Sequence, residues 1–389
     1  MRRLTQPLRE AFQKGDKVLL LLCLVATAFG CLMIASATNA MGFLRFVIIQ
    51  SLAAVLGVLL YVIFSSIDAD FFSEHRRALV VINLSLVLLL IPFGSDNGTG
   101  NKSWLNFPFL PIDIQPAEIC KITIILILAS VMASHQNRPS GIWSVMHTAL
   151  HAGLLVGANY LISGDAGVSL IFVFIFLGMA FAGGIGLIWF LIGGGSLVLL
   201  FPVVWNFMAP YQRYRIEVLF NPALDPYGTG PRYHTVRSLR SLTGGGLTGQ
   251  GLFNGNRTQT RGALFAQHTD YIFSAIGEEL GYIGCFLVLV LLFLIIARCI
   301  WVGTRSQDYM RRMICFGAAA ALMFQVISNV GMCIGVTPVI GLTLPFISYG
   351  GSSIVTLYAM LGLVSGVYAR PAPKSHERYI RAPLSSVYY

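Results

Sequence analysis

The feature that most constrains this sequence is a series of apolar runs, each about 20 residues long, that recur along most of the chain. A helix of that length can cross a bilayer core of about 30 Å. Hydrophobic residues make up 56% of the chain and charged residues only 11%, well below the roughly 25% that is usual in soluble domains. The runs therefore predict an all-α polytopic membrane protein.

About ten transmembrane helices are predicted from these runs. They lie near residues 17–38, 44–66, 77–93, 115–133, 145–163, 167–183, 186–206, 271–300, 311–335 and 347–368. The break between the fifth and the sixth depends only on the short stretch "SGDAG" at 163–167. The chain is predicted to be a single membrane domain, 1–389, with an N-terminal segment at 1–16, one large loop at about 207–270 and a disordered tail at 370–389.

The distribution of Lys and Arg indicates the orientation, because cytoplasmic loops of membrane proteins are enriched in both. If the N-terminus is cytoplasmic, 16 of the 26 Lys and Arg lie on that side, and the short outer loops hold only Arg45 and Lys102. An even number of spans then predicts that both termini are cytoplasmic and that the large loop is extracytoplasmic. The net charge of +10 reflects this asymmetry and attraction to anionic membrane lipid, and the scattered inner charges argue against nucleic-acid binding.

The seven cysteines lie in or at the ends of the predicted spans, and none lies in the large loop. No CxxC motif occurs. The cysteines are therefore interpreted as small buried hydrophobic residues rather than as a disulfide framework or a metal cluster.

Three acids, Asp270, Glu278 and Glu279, stand at the start of the eighth span. Thr269 is expected to cap that helix and to place Asp270 at its first position, where the helix dipole favours a carboxylate; the alternative is a general base held at the membrane surface. Glu278 and Glu279 would lie about 12 Å deeper, at 1.5 Å per residue. The three acids are thus not expected to form one cluster, and the two deeper ones need a partner, a cavity or a proton.

Other charged residues fall at the same membrane face. Glu118 and Lys121 share one helix face in the fourth span, either as a self-neutralising pair or as the polar wall of a cavity for anionic headgroups. Asp165 lies in a very short outer turn and is interpreted as a turn residue or as a contact for substrate or metal.

The large loop contains "SLTGGGLTGQGLFNGNRTQT" (241–260) and seven arginines: Arg213, Arg215, Arg232, Arg237, Arg240, Arg257 and Arg261. Guanidinium groups match phosphate geometry, and Gly244–Gly246 offer backbone N–H groups to an anion. The loop is therefore predicted to bind an anion, with a solvated or lipid-facing loop as the alternative. Structureless loops of this length are usually functional or disordered.

The last span begins with "GLTLPFISYGGSS" (341–353), in which Pro345 breaks helical structure. Irregular backbone at membrane depth must be buried in protein or line a wet cavity. This segment is therefore interpreted either as part of a site or as a packing feature.

Taken together, the motifs resemble the SEDS proteins (shape, elongation, division and sporulation), a family that includes RodA, FtsW and SpoVE. The resemblance extends from Asp16 to Ala369. The stretches that carry it are "QPAEICK" (115–121), "GDAGVSL" (164–170), "YQRYRI" (211–216), "SLTGGGLTGQG" (241–251), "HTDYIFSAIGEELG" (268–281) and "PFISYGGSS" (345–353). Departures from the family pattern are Ala117 for Ser, Arg237 for Gln and Ala166 for an apolar residue. "NVGMCIGVTPVIG" (329–341) is similar to RodA and "IGEELG" (276–281) to FtsW, and the comparison favours RodA.

The resemblance implies the SEDS fold and a peptidoglycan glycosyltransferase of the bacterial cytoplasmic membrane that polymerises lipid II for cell shape, elongation or division. A class B penicillin-binding protein is the implied partner and would supply crosslinking. The family's catalytic acid falls on Asp270. The predicted substrate-binding residues are Glu118, Lys121, Arg215, Asp165, Ser238 and Ser348.

The residues fit this chemistry. The donor of such a reaction is an α-linked sugar diphosphate lipid and the product bond is β, so one inverting displacement suffices. It needs a base for the acceptor hydroxyl and no protein nucleophile, and Asp270 is predicted to be that base. The leaving diphosphate needs positive charge from Arg215, Lys121 or a divalent cation such as Mg²⁺. No organic cofactor is expected.

Two other functions remain open from the residues themselves. A lipid II flippase or another transporter would depend on the intramembrane residues Glu118, Lys121 and Glu278 more than on Asp270. A non-catalytic scaffold for a class B penicillin-binding protein would tolerate Asp270→Asn.

Overall fold

The computed structural model describes residues 13–95, 101–106 and 113–370. Its helices are α1 (Lys17–Ala37), α2 (Phe43–Ser66), α3 (Ala69–Glu74), α4 (Arg76–Leu88), α5 (Leu90–Phe93), α6 (Pro116–Ser134), α7 (Ile142–Ser163), α8 (Ala166–Ala182), α9 (Leu187–Phe207), α10 (Pro210–Phe220), α11 (Tyr233–Gly244), α12 (Ile272–Arg305), α13 (Tyr309–Cys333) and α14 (Gly351–Ala369). Strands β1 (Gly94–Ser95) and β2 (Trp104–Leu105) pair antiparallel. The tail that was predicted to be disordered lies, from residue 371 on, outside the described residues.

The helices that can cross a membrane agree with the predicted spans. Within the described ranges, eight helical segments are long and apolar enough to do so, with α4 and α5 counted together, and two shorter apolar helices are Ala166–Ala182 and Leu187–Val203. These ten segments correspond one by one to the ten predicted spans. The fifth and sixth separate where "SGDAG" predicted, because Gly164 takes a φ of 70° and ends α7 while Asp165 caps α8.

Three helices form the centre of the bundle. Of the 18-residue apolar stretch in each long helix, 83% of the residues are buried in α6 and 72% in each of α13 and α14. In the other long spans the buried share is 17–39%. Glycines allow the backbones to approach closely, as is common between membrane helices. A Cβ on Gly362 of α14 would lie 2.5 Å from the carbonyl oxygen of Tyr61 in α2. The peripheral helices leave apolar faces that suit contact with lipid.

Charged residues fasten one end of the bundle, here called the far end. Asp16 caps α1 through the Leu19 N–H and pairs with Arg298 of α12 through two N–O contacts of 2.8 and 3.1 Å. Arg311 of α13 pairs with Asp68 at 3.0 Å. These bonds join the N-terminal part of the chain to helices that come more than 200 residues later.

The opposite end, here called the loop end, carries the large loop, which is folded. It contains α10, α11 and a series of turns, so the expectation of a structureless loop is wrong. The physical reason is that α11 is amphipathic and buries Ser238, Ser241 and Leu242. Asp225 also organises the turn before α11 by accepting the backbone N–H groups of Thr229, Gly230 and Arg232 at 2.9–3.1 Å.

The large loop packs against a break in α12. Gly281 has φ 68° and ψ −169°, a conformation essentially restricted to glycine, and it interrupts the helical hydrogen bonds. The Gln250 N–H donates to the freed carbonyl of Glu278 at 3.0 Å, and the Gly246 carbonyl accepts from the freed Tyr282 N–H at 3.0 Å. Because unpaired backbone groups are costly at a membrane, the break and the loop stabilise each other.

Candidate active site

Asp270 lies at the loop end, in a turn just before α12. Tyr271, without a side-chain capping bond, is the N-cap residue of α12, so the predicted cap at Thr269 and the helical position of Asp270 are wrong. The Thr269 hydroxyl donates instead to the Ala266 carbonyl at 3.3 Å. Ala266, where φ is 45°, also accepts the backbone N–H groups of Thr269 and Tyr271 at 3.1 Å.

Distant parts of the chain hold this turn. The carbonyl of His268 accepts the Tyr349 N–H at 2.8 Å, and the carbonyl of Thr269 accepts the Ser348 hydroxyl at 2.6 Å. The carbonyl of Asp270 accepts the side-chain amide of Asn329 at 2.8 Å. The irregular segment "GLTLPFISYGGSS" is therefore both a packing feature and a support for Asp270.

The carboxyl group of Asp270 is suited to proton transfer. It is partly exposed, and burial, followed by the negative charge of Asp165, raises the pKa of Asp270 to about 6. A general base works best when its pKa lies near the working pH. Asp270 is thus ionised at neutral pH and still basic enough to accept a proton.

Asp165 has a structural role and also lies near Asp270. Its Oδ1 accepts the Val168 N–H at 3.1 Å, which confirms the interpretation as a turn residue. Its Oδ2 accepts the Ser103 hydroxyl at 3.4 Å. Burial raises the pKa of Asp165 as well, and the negative charge of Asp165 acts on Asp270.

Arg215 lies in the wall of a cavity of about 370 Å³ that is formed by α10, α11 and the segment 335–339. His234, Thr235 and Thr337 also line this cavity. Burial lowers the pKa of His234, and the charges of Arg237 and Arg215 lower it further. The segment that forms this wall continues to Gly341, where a Cβ would lie 3.6 Å from Oδ2 of Asp270. The cavity and the candidate base therefore share one chain segment.

Glu118 and Lys121 form the predicted pair. Their charged atoms are 2.7 Å apart, and the residues are only 5% and 2% exposed. The Thr356 hydroxyl donates to Glu118 at 2.9 Å and also lines an apolar cavity of about 370 Å³ between α2, α6 and α14. The geometry is that of a closed, self-neutralising pair beside an apolar cavity, and substrate contact by the pair stays a prediction.

The hydroxyl groups of Ser238 and Ser348 form hydrogen bonds within the protein. Ser238 is fully buried, contacts the Ser274 hydroxyl at 2.5 Å and donates to the Cys333 carbonyl at 2.7 Å. Ser348 accepts the Leu344 N–H at 2.8 Å in addition to its bond to Thr269. In this arrangement both serines hold the backbone around Asp270, and substrate contact by either stays a prediction.

Glu278 and Glu279 hold the loop. Glu278 accepts the backbone N–H groups of Arg257 and Thr258 at 2.8 and 2.9 Å, and Glu279 accepts the Ser36 hydroxyl at 2.5 Å and the Gln259 side-chain amide at 2.9 Å. Their contacts lie on the loop and α1, as expected for acids that do not cluster with Asp270. The predicted depth assumed a helix that is continuous from Asp270, however, and α12 begins only at Ile272.

The predicted anion-binding groups of the loop separate into different roles. Arg213, Arg232 and Arg237 donate to backbone carbonyls of the loop and its flanks, so these side chains stabilise the loop fold. Gly245 packs closely on α12, because a Cβ there would overlap the Gly277 carbonyl, whereas a Cβ on Gly246 would meet no atom within 4 Å. Close packing explains Gly245, a reason that the motif alone did not show, and anion binding by Gly244–Gly246 stays a prediction.

Sequence reasoning missed three buried amides that hold the site. Asn329 bonds Asp270, Gln50 bonds the Ser348 carbonyl at 3.2 Å, and Gln267 bonds the Thr258 carbonyl at 2.9 Å. A polar amide within or beside an apolar span was the available signal.

The described residues contain no group of three or more His, Cys, Asp or Glu that could hold a metal ion. Mg²⁺ is commonly held by one or two carboxylates together with substrate phosphates, and Asp165 is a carboxylate that fits this role. All seven cysteines are free, and six are buried, which confirms their interpretation as small hydrophobic residues.

Comparisons with known proteins identify the class. Residues 16–371 match the family FTSW_RODA_SPOVE, described as cell cycle protein. Peptidoglycan glycosyltransferase MrdB of Escherichia coli (strain K12) is 31% identical over 359 residues, covering 91% of this chain and 93% of that protein. The probable peptidoglycan glycosyltransferase FtsW of Trichlorobacter lovleyi is 31% identical over 376 residues, covering 93% and 96%.

Solved structures have the same fold as this chain. A chain from a peptidoglycan synthase complex that coordinates polymerization and crosslinking has a TM-score of 0.76 and 29% identity, covering 91% of this chain and 97% of that chain. The rod shape determining protein RodA of Thermus thermophilus has a TM-score of 0.68 and 26% identity, covering 92% and 98%.

The fold and the matches define a polytopic membrane glycosyltransferase of cell-wall synthesis. The chain belongs to the FtsW/RodA/SpoVE family, the SEDS peptidoglycan glycosyltransferases.

Proposed function

We propose that this protein polymerises lipid II into glycan strands by inverting displacement at the outer face of the bacterial cytoplasmic membrane, with Asp270 as general base. The observation that carries the proposal is the Asp270 carboxyl group, which is held outside the helix at the loop end with its pKa raised to about 6.

In the proposed reaction the acceptor hydroxyl oxygen attacks the anomeric carbon of the donor sugar. Its proton passes to the carboxylate of Asp270, and the bond from the anomeric carbon to the diphosphate oxygen breaks, so that the diphosphate leaves with the electron pair. Arg215, in the wall of the neighbouring cavity, is the proposed source of positive charge. A divalent cation such as Mg²⁺, with Asp165 as a ligand, would supply further charge when bound.

The proposed orientation has both termini in the cytoplasm and the loop end outside. It is supported by the 16 Lys and Arg of the predicted inner segments, which include Arg298 and Arg311 at the far end. The proposed partner is a class B penicillin-binding protein, supported by the likeness to a chain from a complex that combines polymerization with crosslinking.

The alternative function of transport lacks such support. Glu118 is paired with Lys121 and Glu278 binds the loop backbone, so the acids that transport would use already have internal partners.

The test is lipid II polymerisation by the purified protein with its cognate partner, comparing wild type with Asp270→Asn. We expect at least about a 100-fold loss of rate, because a general base contributes about 10²–10⁴-fold. Glu217→Gln removes one exposed acid of α10 and should retain the wild-type rate. Strands from folded Asp270→Asn at the wild-type rate would exclude Asp270 as base, and transport without polymerisation by the wild type would contradict the proposed reaction.

A further inference from the structure

We infer that Asn329 is a positioning residue that fixes Asp270 relative to the segment 340–342 and, through that segment, relative to Asp165. The inference rests on the proposed role of Asp270 as the base. It assigns to Asn329 no contact with substrate.

The geometry begins with the two hydrogen atoms of the Asn329 side-chain amide. Asn329 lies near the end of α13 and is 0% exposed. Its Nδ2 donates to the Asp270 carbonyl at 2.8 Å and to the Leu342 carbonyl at 2.7 Å. One planar group thus joins the turn that carries the base to a second irregular segment.

Asp270 needs such a support because no helix holds its peptide group. α12 begins only after Tyr271, so the position of Asp270 depends on bonds from elsewhere. The other group that contacts its carbonyl is the thiol of Cys333 at 3.8 Å, and a thiol is a weak donor. The Asn329 amide is therefore the stronger constraint on this carbonyl.

The second bond of Asn329 is what relates Asp270 to Asp165. Gly341, with a φ of 67°, lies against the carboxylate of Asp270, at 3.6 Å from an added Cβ. The Ile340 carbonyl packs on Gly167, where an added Cβ would lie 2.6 Å from that oxygen and 3.3 Å from Oδ1 of Asp165. The segment 340–342 thus lies between the two acids, and Asn329 holds this segment and the base together.

The consequence is kinetic. A reacting group displaced by about 1 Å can lose on the order of 100-fold in rate, and the loss should fall on kcat because Asn329 does not bind substrate. A purely structural asparagine would lower stability and leave the kinetic constants and the pH profile of the folded enzyme unchanged.

The experiment uses the full-length protein with its cognate partner and measures kcat, KM and the pH profile of lipid II polymerisation. Asn329→Leu keeps the side-chain size but removes both donors, whereas Asn329→Gln keeps both donors but moves them by one methylene. We expect each variant to lower kcat on the order of 100-fold with KM changed less than about 3-fold. The values of kcat are compared on the plateau of the pH profile, so that a difference in protonation does not enter the comparison.

Gln325→Leu is the matched control. Gln325 lies one turn earlier on α13 and is 1% exposed, so this change also replaces a buried amide of the same helix with leucine. We expect its folded fraction to keep the wild-type kcat and pH profile.

Several outcomes would overturn the inference. One is a wild-type kcat in either Asn329 variant. Another is a loss of kcat in Gln325→Leu as large as that in the Asn329 variants. If Asn329→Leu does not fold, the decision falls to Asn329→Gln, which retains the polar amide. Full activity of Asp270→Asn would instead contradict the proposed base, and it separates that failure from a failure of the positioning role.

Discussion

At the scale of single residues, the environment of each acid decides its role. Asp270 is partly exposed and lies beside Asp165, whereas Glu278 and Glu279 are only 1% and 0% exposed and accept several hydrogen bonds from the loop. A carboxylate surrounded by donors is a structural anchor, while one that is partly desolvated beside a like charge is available for proton transfer.

The raised pKa of Asp270 predicts the pH dependence of the reaction. Below a pH of about 6 the carboxyl group is protonated and cannot accept a proton, so kcat/KM should fall about tenfold per pH unit. Above that pH the group is ionised and the rate should become constant. A pH–rate profile between pH 4.5 and 8 checks this, and a nearly constant rate down to pH 4.5, as for an ordinary aspartate pKa of about 3.9, would contradict it.

Asp165→Asn should shift this acid limb to lower pH, because it removes a negative charge that raises the pKa of Asp270. Asparagine caps helices about as well as aspartate, so α8 should remain intact. The measurement is the same pH–rate profile, with Glu217→Gln as the control. A limb that does not move would show that Asp165 exerts no electrostatic effect on the base.

At the scale of elements, the break in α12 and the loop form one unit. The carbonyl and N–H groups freed around Gly281 are taken up by residues 246–251, and the two glutamates before the break hold residues 253–259. The loop fold therefore depends on a defect in a membrane helix.

Gly281→Ala should detach the loop from α12. A Cβ there would overlap the Leu247 carbonyl, and the backbone conformation alone costs a non-glycine residue about 1–3 kcal/mol. We expect a lower Tm and faster hydrogen exchange at residues 246–259. Gly193→Ala in α9 has no neighbouring atom within 4 Å and should leave both unchanged; equal exchange in the two variants would contradict the coupling.

At the scale of the whole molecule, stability and chemistry lie at opposite ends of the bundle. The ion pairs of Asp16, Arg298 and Arg311 fasten the far end, while Asp270, Asp165 and the loop cavity lie at the loop end. The closely packed centre of α6, α13 and α14 connects the two.

Asp16→Asn should lower the stability of the protein without changing the pH dependence of the reaction. The carboxylate of Asp16 is 1% exposed and forms two bonds to Arg298, and removing one partner of a buried pair costs about 3–5 kcal/mol. We expect a lower Tm together with an unchanged acid limb of the pH–rate profile. The exposed Arg138→Gln at the same end serves as control, and a shifted acid limb in Asp16→Asn would contradict the separation.

The sequence by itself determined the ten spans, the break at "SGDAG", the Glu118–Lys121 pair and the irregular segment before α14. Each of these depends on local properties: the length of an apolar run, the conformation of glycine, or a spacing of three residues on one helix. The family motifs likewise indicated Asp270 without any knowledge of its surroundings.

Only the tertiary structure decided where Asp270 lies and what holds it. Capping rules placed it inside α12, whereas bonds from Ser348 and Asn329, which follow it by 78 and 59 residues along the chain, keep it in a turn outside the helix. The same applies to Gly281, whose break is stable because the loop supplies partners for the freed backbone groups. Hydrogen bonds between distant segments offset local preferences here, and a local pattern contains no information about such partners.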